Sequence, residues 1–417
     1  VNRLTKLRDS PTYMLVILAL AGLLNSADRG IFALAMPAIK AEFTLTDTQL
    51  GLISGVAFGV FYAVAALPIG WLGGFTPRRS LIAACLALWS AFTALTAAAH
   101  GFVSLFTARM MVGVGEAGGV PLSLALIAAR FPPARRADAT AVMQTGVFGG
   151  AILGAWGTGW LITHLGWRGA FLVLGLPGLF LAVLLRLTIA EPREPGRERQ
   201  GRLADAWALR HRPALLHITG AFIASGFNGY GTQAWAASFY HRSFGMTATD
   251  TGFFMGIVLG LGGLAGNLAG GFINDRLAAG RPDFGLRVTL WVVLAAIPLS
   301  VLAFGVPDRT LSLVLLTASS IAYGVRLVVL YTAVQNLTEA HLRPFAVAIV
   351  ASLTVLIGSG LGPSFVGLIS DLAQPAFGEH SVGVGLMACN ALMLWLAFHL
   401  WRALRVYRRD FAIVNGK

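Results

Sequence analysis

The chain has 417 residues, of which 56% are apolar and only 12% carry a charge, about half the charged share of an ordinary soluble domain. That composition excludes a string of soluble domains. With no Gly-X-Y period, no polar tract and only two cysteines, Cys85 and Cys389, collagen-like, disordered and disulfide-scaffold chains are excluded as well, and a polytopic membrane protein remains.

Taken in chain order, apolar stretches long enough to span a bilayer, about 20 residues each, run over 13–36, 50–72, 80–99, 102–130, 137–163, 167–187, 214–240, 249–275, 286–306, 310–337, 344–371 and 382–401. The expected fold is an all-α membrane protein of twelve transmembrane helices with both termini on one side. Arg3, Lys6 and Arg8 ahead of the first stretch imitate a secretory signal. The apolar run is too long for one, and Asp28-Arg29 interrupts it, so it reads as an uncleaved first helix.

The net charge of +13 would point to nucleic acid if it lay on one soluble face. Instead, 24 of the 31 Lys and Arg residues fall on the side of the N-terminus, and four (Lys40, Arg168, Arg242 and Arg309) fall on the other. The remaining three lie inside helices. Because basic residues concentrate in cytoplasmic loops, both termini are expected in the cytoplasm of a bacterial inner membrane. The basic excess is a topology signal, and no nucleic-acid partner is expected.

Residues 188–213 form the only long hydrophilic connection, with ten charged residues. They divide the chain into an N-terminal half, 1–187, and a C-terminal half, 214–417. A weak repeat supports the division: Gly70 in GWLGG is matched by Gly271 in GGFINDR, 201 residues on, and Arg136 by Arg343, 207 residues on. Two six-helix halves related by a parallel repeat is the layout of major facilitator transporters, which place substrate near mid-membrane between the halves.

Specific motifs extend that resemblance. Gly70-Trp-Leu-Gly-Gly-Phe-Thr-Pro-Arg78-Arg79 resembles the superfamily's loop between helices 2 and 3, with Gly74 where the family normally has Asp and Pro77 where it has Gly. The second copy, Gly271-Phe-Ile-Asn-Asp275-Arg276, keeps its Asp. Arg109 with Gly113 and Gly115 resembles the helix-4 motif, Trp167-Arg168 the start of helix 6, and Gly360-Leu-Gly-Pro363 helix 11. Within the superfamily, Asp28-Arg29, Gly113-Val-Gly115-Glu116 and FPPARRADATA resemble the Spinster group of lipid transporters. The resemblance implies a cytoplasmic latch made by Arg78, Arg79, Asp275 and Arg276 and weakened at Gly74. It also implies a proton-coupling role for the helix-1 and helix-4 charges.

Five ionisable residues sit well inside the spans: Asp28, Arg29, Arg109, Glu116 and Arg326. Each costs about 2.5 kcal/mol or more at the bilayer centre, so each should face a cavity or a partner. At about 1.5 Å rise per residue, Asp28 and Arg109 lie at nearly equal depth, with Glu116 on the face of Arg109 about 10 Å deeper. Arg29 and Arg109 favour a charged Asp28, whereas the apolar run around Glu116 favours its neutral acid. Two carboxylates in opposed environments with shared arginines suit proton relay. A purely structural network is the alternative.

Arg326 is alone in the second half. Its partner is expected to be either Glu116 or the anionic head of a substrate, with Asn228, Tyr230 and Gln233 on helix 7 adding polar contacts. Gly113 to Gly118 formally matches a dinucleotide-binding loop, but inside an apolar helix it reads as close packing. His164, His217 and His399 lack a second ligand at metal spacing, so no metal and no cofactor is expected. No Ser/His/Asp set, HExxH or paired aspartates point to an enzyme. The sequence reads as a monomeric, proton-coupled secondary transporter of an amphipathic, lipid-like substrate, working by alternating access amid membrane lipid. The alternative is a transporter of a small organic anion or drug.

Overall fold

The computed structural model describes residues 8, 10–191, 212–274, 281–339 and 342–415. Among these residues the secondary structure is helical, without strands, and resolves into twelve long helices. The first six are α1 (Pro11–Phe43), α2 (Asp47–Leu72), α3 (Arg78–Thr96), α4 (Phe102–Arg130), α5 (133–165) and α6 (167–188). The second six are α7 (Pro213–Phe244), α8 (Ala248–Phe272), α9 (Phe284–Ala303), α10 (Arg309–Asn336), α11 (343–377) and α12 (381–415). Most of the charged 188–213 connection, and Asp275 and Arg276, lie outside the described residues.

Local chemistry sets the helix ends. Ser10 caps α1 by accepting from Tyr13 N–H at 3.3 Å, Pro11 fills the first turn, and Thr44 in the left-handed region ends the helix. Thr46 and Gln49 form a reciprocal capping box at the start of α2, satisfying two backbone donors that the first turn leaves unpaired. The break between α5 and α6 is made by Gly166 at φ 70°, a conformation that costs glycine little and other residues much. The N-terminus of α3 has no capping side chain of its own. Glu191, just beyond α6, supplies both carboxylate oxygens, accepting from the backbone N–H of Arg78 at 2.7 Å and of Arg79 at 3.0 Å.

The chain forms two compact units. Unit 1 comprises Val1–Arg197 and Ala236–Gly256; unit 2 comprises Glu198–Trp235 and Ile257–Lys417. Unit 1 has an apolar core of Leu18, Phe58, Leu86, Trp89, Leu126 and Leu185 among others. Unit 2 has its own, including Ile218, Phe222, Leu330, Leu396 and Tyr407. Many of the large side chains left outside are apolar, among them Leu67, Trp71, Phe180, Leu268 and Trp291, as a lipid-facing surface requires.

The end of α12 ties unit 2 together. Asp410 accepts from the N–H of Ala214 at 2.9 Å, capping α7. Buried Asp283, ahead of α9, accepts from Arg287 at 2.7 Å and from Arg408 at 3.0 Å. Burial pushes the Asp283 carboxyl up, but hydrogen bonds from the two arginines outweigh it and hold the group below the ordinary carboxylate range.

Replacing Glu191 with Ala removes two acceptors from the first turn of α3. We expect a loss of about 1–2 kcal/mol, the usual range for a lost cap, read as an earlier thermal unfolding transition in detergent. An unchanged transition would show that water satisfies those donors as well as Glu191 does.

Candidate functional site

Four of the five intramembrane charges meet in unit 1. Asp28, Arg109 and Glu116 are at most 4% exposed. Arg109 Nη1 donates to Asp28 Oδ2 at 3.4 Å, and Thr93 on α3 donates its hydroxyl to Asp28 Oδ1 at 2.5 Å. Arg29 Nε donates to Glu116 Oε2 at 2.8 Å. Successive helix residues point about 100° apart. Asp28 and Arg29 therefore turn to different faces, and Arg29 reaches Glu116. Thr93 carries no signal in the sequence, being one hydroxyl in an apolar helix.

The ring of Phe58 lies between the two arginines, 5.2 Å from each guanidinium carbon. Tyr62 flanks Arg29 at 5.7 Å, and Phe32 flanks Arg109 at 5.4 Å. Aromatic faces attract cations without bringing a counter-charge, so both guanidinium groups are held by rings as well as by carboxylates. Gly113 permits this arrangement: a methyl there would lie 2.6 Å from the Phe58 carbonyl oxygen. Gly115 plays the same part against Trp89 on α3, where a methyl would meet the backbone nitrogen at 2.6 Å. The glycines expected to serve packing do so.

The cluster sums to zero formal charge but is not fully bonded. Glu116 Oε1 and Arg109 Nε are buried without hydrogen-bond partners.

Arg326, 1% exposed on α10, has different company in unit 2. Its Nη2 donates to Asn228 Oδ1 at 3.0 Å, Nη1 reaches the Met393 sulfur at 3.6 Å, and the Tyr323 ring lies 4.4 Å from the guanidinium carbon. Its Nε has no partner. Among the described residues of unit 2, no carboxylate pairs with it. A polar chain runs on from Asn228 to Asn390 at 2.8 Å and from Asn390 to Thr232 at 3.3 Å. Of the helix-7 residues expected beside Arg326, Asn228 is in contact. Tyr230 is half-buried, Gln233 is exposed, and neither hydrogen-bonds the guanidinium. Tyr323, three residues before Arg326 on α10, was legible from the i, i+3 spacing; Asn390, which holds Asn228 from α12, was not, since nothing in the sequence marks that contact.

Of the expected latch, Arg78 and Arg79 are described and bond backbone carbonyls of unit 1. Arg78 Nη1 donates to the Ala125 carbonyl at 3.0 Å and Arg79 Nη1 to that of Ile189 at 2.7 Å. Gly74 lies in a turn, its N–H on the Trp71 carbonyl at 3.0 Å.

Two groupings escaped sequence reasoning because their members are distant in the chain. His217 and His399 meet with their Nδ1 atoms 3.1 Å apart. Asp47, 1% exposed, accepts from Lys40 at 2.5 Å and from both terminal nitrogens of Arg242 at 2.7 Å. This ion cluster ties the end of α7 to α1 and α2 within unit 1. Nearby, Glu42 accepts from Arg168 at 2.5 Å and from Trp167 at 2.8 Å, and these two bonds, that of Arg168 foremost, lower its carboxyl.

Comparison with known proteins agrees with the architecture. The Major Facilitator Superfamily profile matches residues 18–363. An MFS-type efflux pump of Mycolicibacterium smegmatis is 32% identical over 405 residues, covering 94% of this chain and 92% of its own. A hexuronate transporter of Bacillus subtilis is 30% identical over 300 residues, covering 67% and 68%. In structure, a bacterial homolog of the human lysosomal transporter Spinster superposes with a TM-score of 0.87 at 24% identity, covering 96% of this chain and 98% of that one. The chain belongs to the Major Facilitator Superfamily. It is an integral, multi-pass membrane transporter with a Spinster-like fold, and its relatives are transporters, not enzymes.

Arg109→Ala leaves Asp28 buried with only Thr93. Breaking one side of such a pair typically costs about 3–5 kcal/mol, so the variant should express poorly and unfold early. Asp28→Asn in the same chain should restore much of that stability. Equal stability of the single variant and the parent would show that the pair holds nothing.

Proposed function

We propose that this transporter couples proton movement to the passage of an anionic, amphipathic substrate by alternating access. Arg326 carries the reading. A fully buried guanidinium whose contacts are an amide, a thioether and a ring has its charge solvated but not neutralised, and leaving a buried charge unneutralised is expensive. An incoming phosphate or carboxylate supplies the missing anion, and the planar fork of arginine suits either one. Asn228, held in place by Asn390 and Thr232, fixes the fork's orientation. The surrounding apolar helices suit an acyl chain.

Glu116 is the proton carrier in this scheme. When it binds a proton at the unbonded Oε1, its attraction for Arg29 weakens. Arg29 stays on Phe58 and Tyr62, and the cluster gains one net positive charge. Asp28 keeps its bonds from Arg109 and Thr93. A change of net charge inside the membrane shifts the balance between states that expose the cluster differently. The latch assigned to Arg78, Arg79, Asp275 and Arg276, lacking an acceptor at Gly74, would leave the state closed on the cytoplasmic side less favoured.

Glu116→Gln should fold as the parent does but lose the pH dependence of distances between spin or fluorophore labels on the two units. A parental pH response would remove Glu116 from the coupling. At fixed pH, Arg326→Ala should abolish binding of a lysophospholipid or a sphingosine-1-phosphate-like ligand while sparing a neutral analogue with the same tail. Equal loss of both ligands, or of neither, would reject Arg326 as the anchor.

A second reading, a smaller organic anion without a tail, draws on the names of relatives. Besides the hexuronate transporter, a probable galactarate/D-glucarate transporter of Bacillus subtilis is 29% identical over 198 residues. Such acids also need a cationic anchor. Uptake of hexuronate into vesicles, lost in Arg326→Ala and not inhibited by lysophospholipid, would favour it.

A further inference from the structure

Two helices change unit along their length. α7 passes from unit 2 into unit 1 between Trp235 and Ala236, and α8 leaves unit 1 between Gly256 and Ile257. In α8 the crossing point coincides with a π-helical segment, Gly256–Leu261, a wide turn of a kind that recurs inside helices at functional sites. The stretch between the two crossings lies on the far side of the membrane from the chain's N-terminus, where α1 ends and α2 begins, because Arg242 meets Asp47 there.

Two kinds of contact hold this stretch in unit 1. Against α5 it forms a seam of small residues. A methyl at Gly159 would clash with the Ala248 carbonyl, one at Gly252 with the Ala155 carbonyl, and one at Gly256 with the Ile152 carbonyl. Thr249 donates across the seam to Thr163 at 2.9 Å. Such packing brings backbones close, and at these points no large side chain has to be withdrawn for the helices to part. Against α1 and α2 the hold is ionic. Asp47, in the first turn of α2 and 1% exposed, accepts both terminal nitrogens of Arg242 at 2.7 Å and Lys40 Nζ at 2.5 Å. The paired bonds from Arg242 form a strong and directional clamp.

One carboxylate between two cations makes that clamp releasable. Breaking a buried ion pair is costly because it strands the partner's charge. Here Lys40 stays on Asp47 when Arg242 departs, so the buried carboxylate is not stranded. Arg242 itself has a side chain 14% exposed and Lys40 one 33% exposed, so each already reaches toward water. We propose that the Arg242–Asp47 pair is the gate on the far side. Closed, it holds Ala236–Gly256 in unit 1; released, it lets the ends of α7 and α8 leave the α5 seam, α8 turning at its π segment, and opens the path on that side. Lys40 is the holding cation that keeps Asp47 paired while the gate is open. This inference rests on the alternating-access reading and adds to it the residues that control one of its two openings.

The test is a distance measurement on the full chain in lipid nanodiscs, by pulsed electron paramagnetic resonance between nitroxides at Leu165→Cys and Asp250→Cys. Both positions are exposed, at the end of α5 and the start of α8, and both native cysteines are buried. The parent should give one short distance. Arg242→Gln should add a second, longer distance, and Arg242→Lys, which keeps the charge but not the paired bonds, should add a smaller share of it. Lys40→Gln should act in the opposite sense, keeping the short distance and slowing transport, because Asp47 then has no substitute for Arg242. The parent's single distance in both Arg242 variants would overturn the proposal, even if their thermal unfolding came earlier, since a purely structural clamp would do that. The longer distance appearing equally in Lys40→Gln and Arg242→Gln would overturn it as well. No substrate is needed for these distances. Failure of the parent to transport any ligand would therefore count against the functional reading alone, and transport with unmoved distances against the gate alone.

Discussion

Four charges that cancel one another, three of them buried and Arg29 half-buried, constrain the rest of unit 1. Asp28, Arg29, Arg109 and Glu116 would each cost about 2.5 kcal/mol or more if placed singly at the bilayer centre, and the surrounding sequence serves to bring them together. Gly113 and Gly115 let α4 approach α2 and α3. Phe58, whose backbone Gly113 meets, inserts its ring between the guanidinium groups, and Thr93 completes the shell of Asp28. The two carboxylates are not equivalent. Asp28 has a hydroxyl and an arginine on its two oxygens, while Glu116 has one oxygen bonded and one bare. That asymmetry is the basis on which we propose Glu116, and not Asp28, as the proton carrier.

Unit 2 is built on the opposite principle. Its buried arginine is surrounded by groups that orient it without neutralising it, and the Asn228–Asn390–Thr232 chain adds rigidity without charge. A formally neutral cluster in one unit and, among the described residues of the other, an arginine with no carboxylate partner are the two electrostatic features on which the proposed proton and anion sites rest.

Much of this was legible in the sequence. Apolar run lengths gave twelve helices, and the structure has them, with Gly166 breaking α5 from α6 where the pattern leaves a gap. Depth arithmetic brought Asp28 and Arg109 together, because rise per residue is a fixed property of helices, but it set Glu116 about 10 Å deeper; the long Arg29 side chain spans that difference and bonds Glu116 at 2.8 Å. Pairing was not legible. It depends on helix rotation, which sends Arg29 to Glu116, and the sequence carries no unambiguous mark of rotation in helices that are apolar all round. Contacts between distant helices were hidden for the same reason: Asn390 beside Asn228, His399 beside His217 and Arg242 on Asp47 are each more than 150 residues apart. Glu191 was read as linker charge, yet it caps α3.

The claim that joins the two handles is that binding an anion at Arg326 changes the protonation of Glu116. It is tested most directly by counting protons. On adding lysophospholipid to the protein in weakly buffered solution, the account predicts a proton uptake or release that saturates with the ligand and is absent in Glu116→Gln. The same proton change in the Gln variant, or saturable binding with no proton change in the parent, would contradict it.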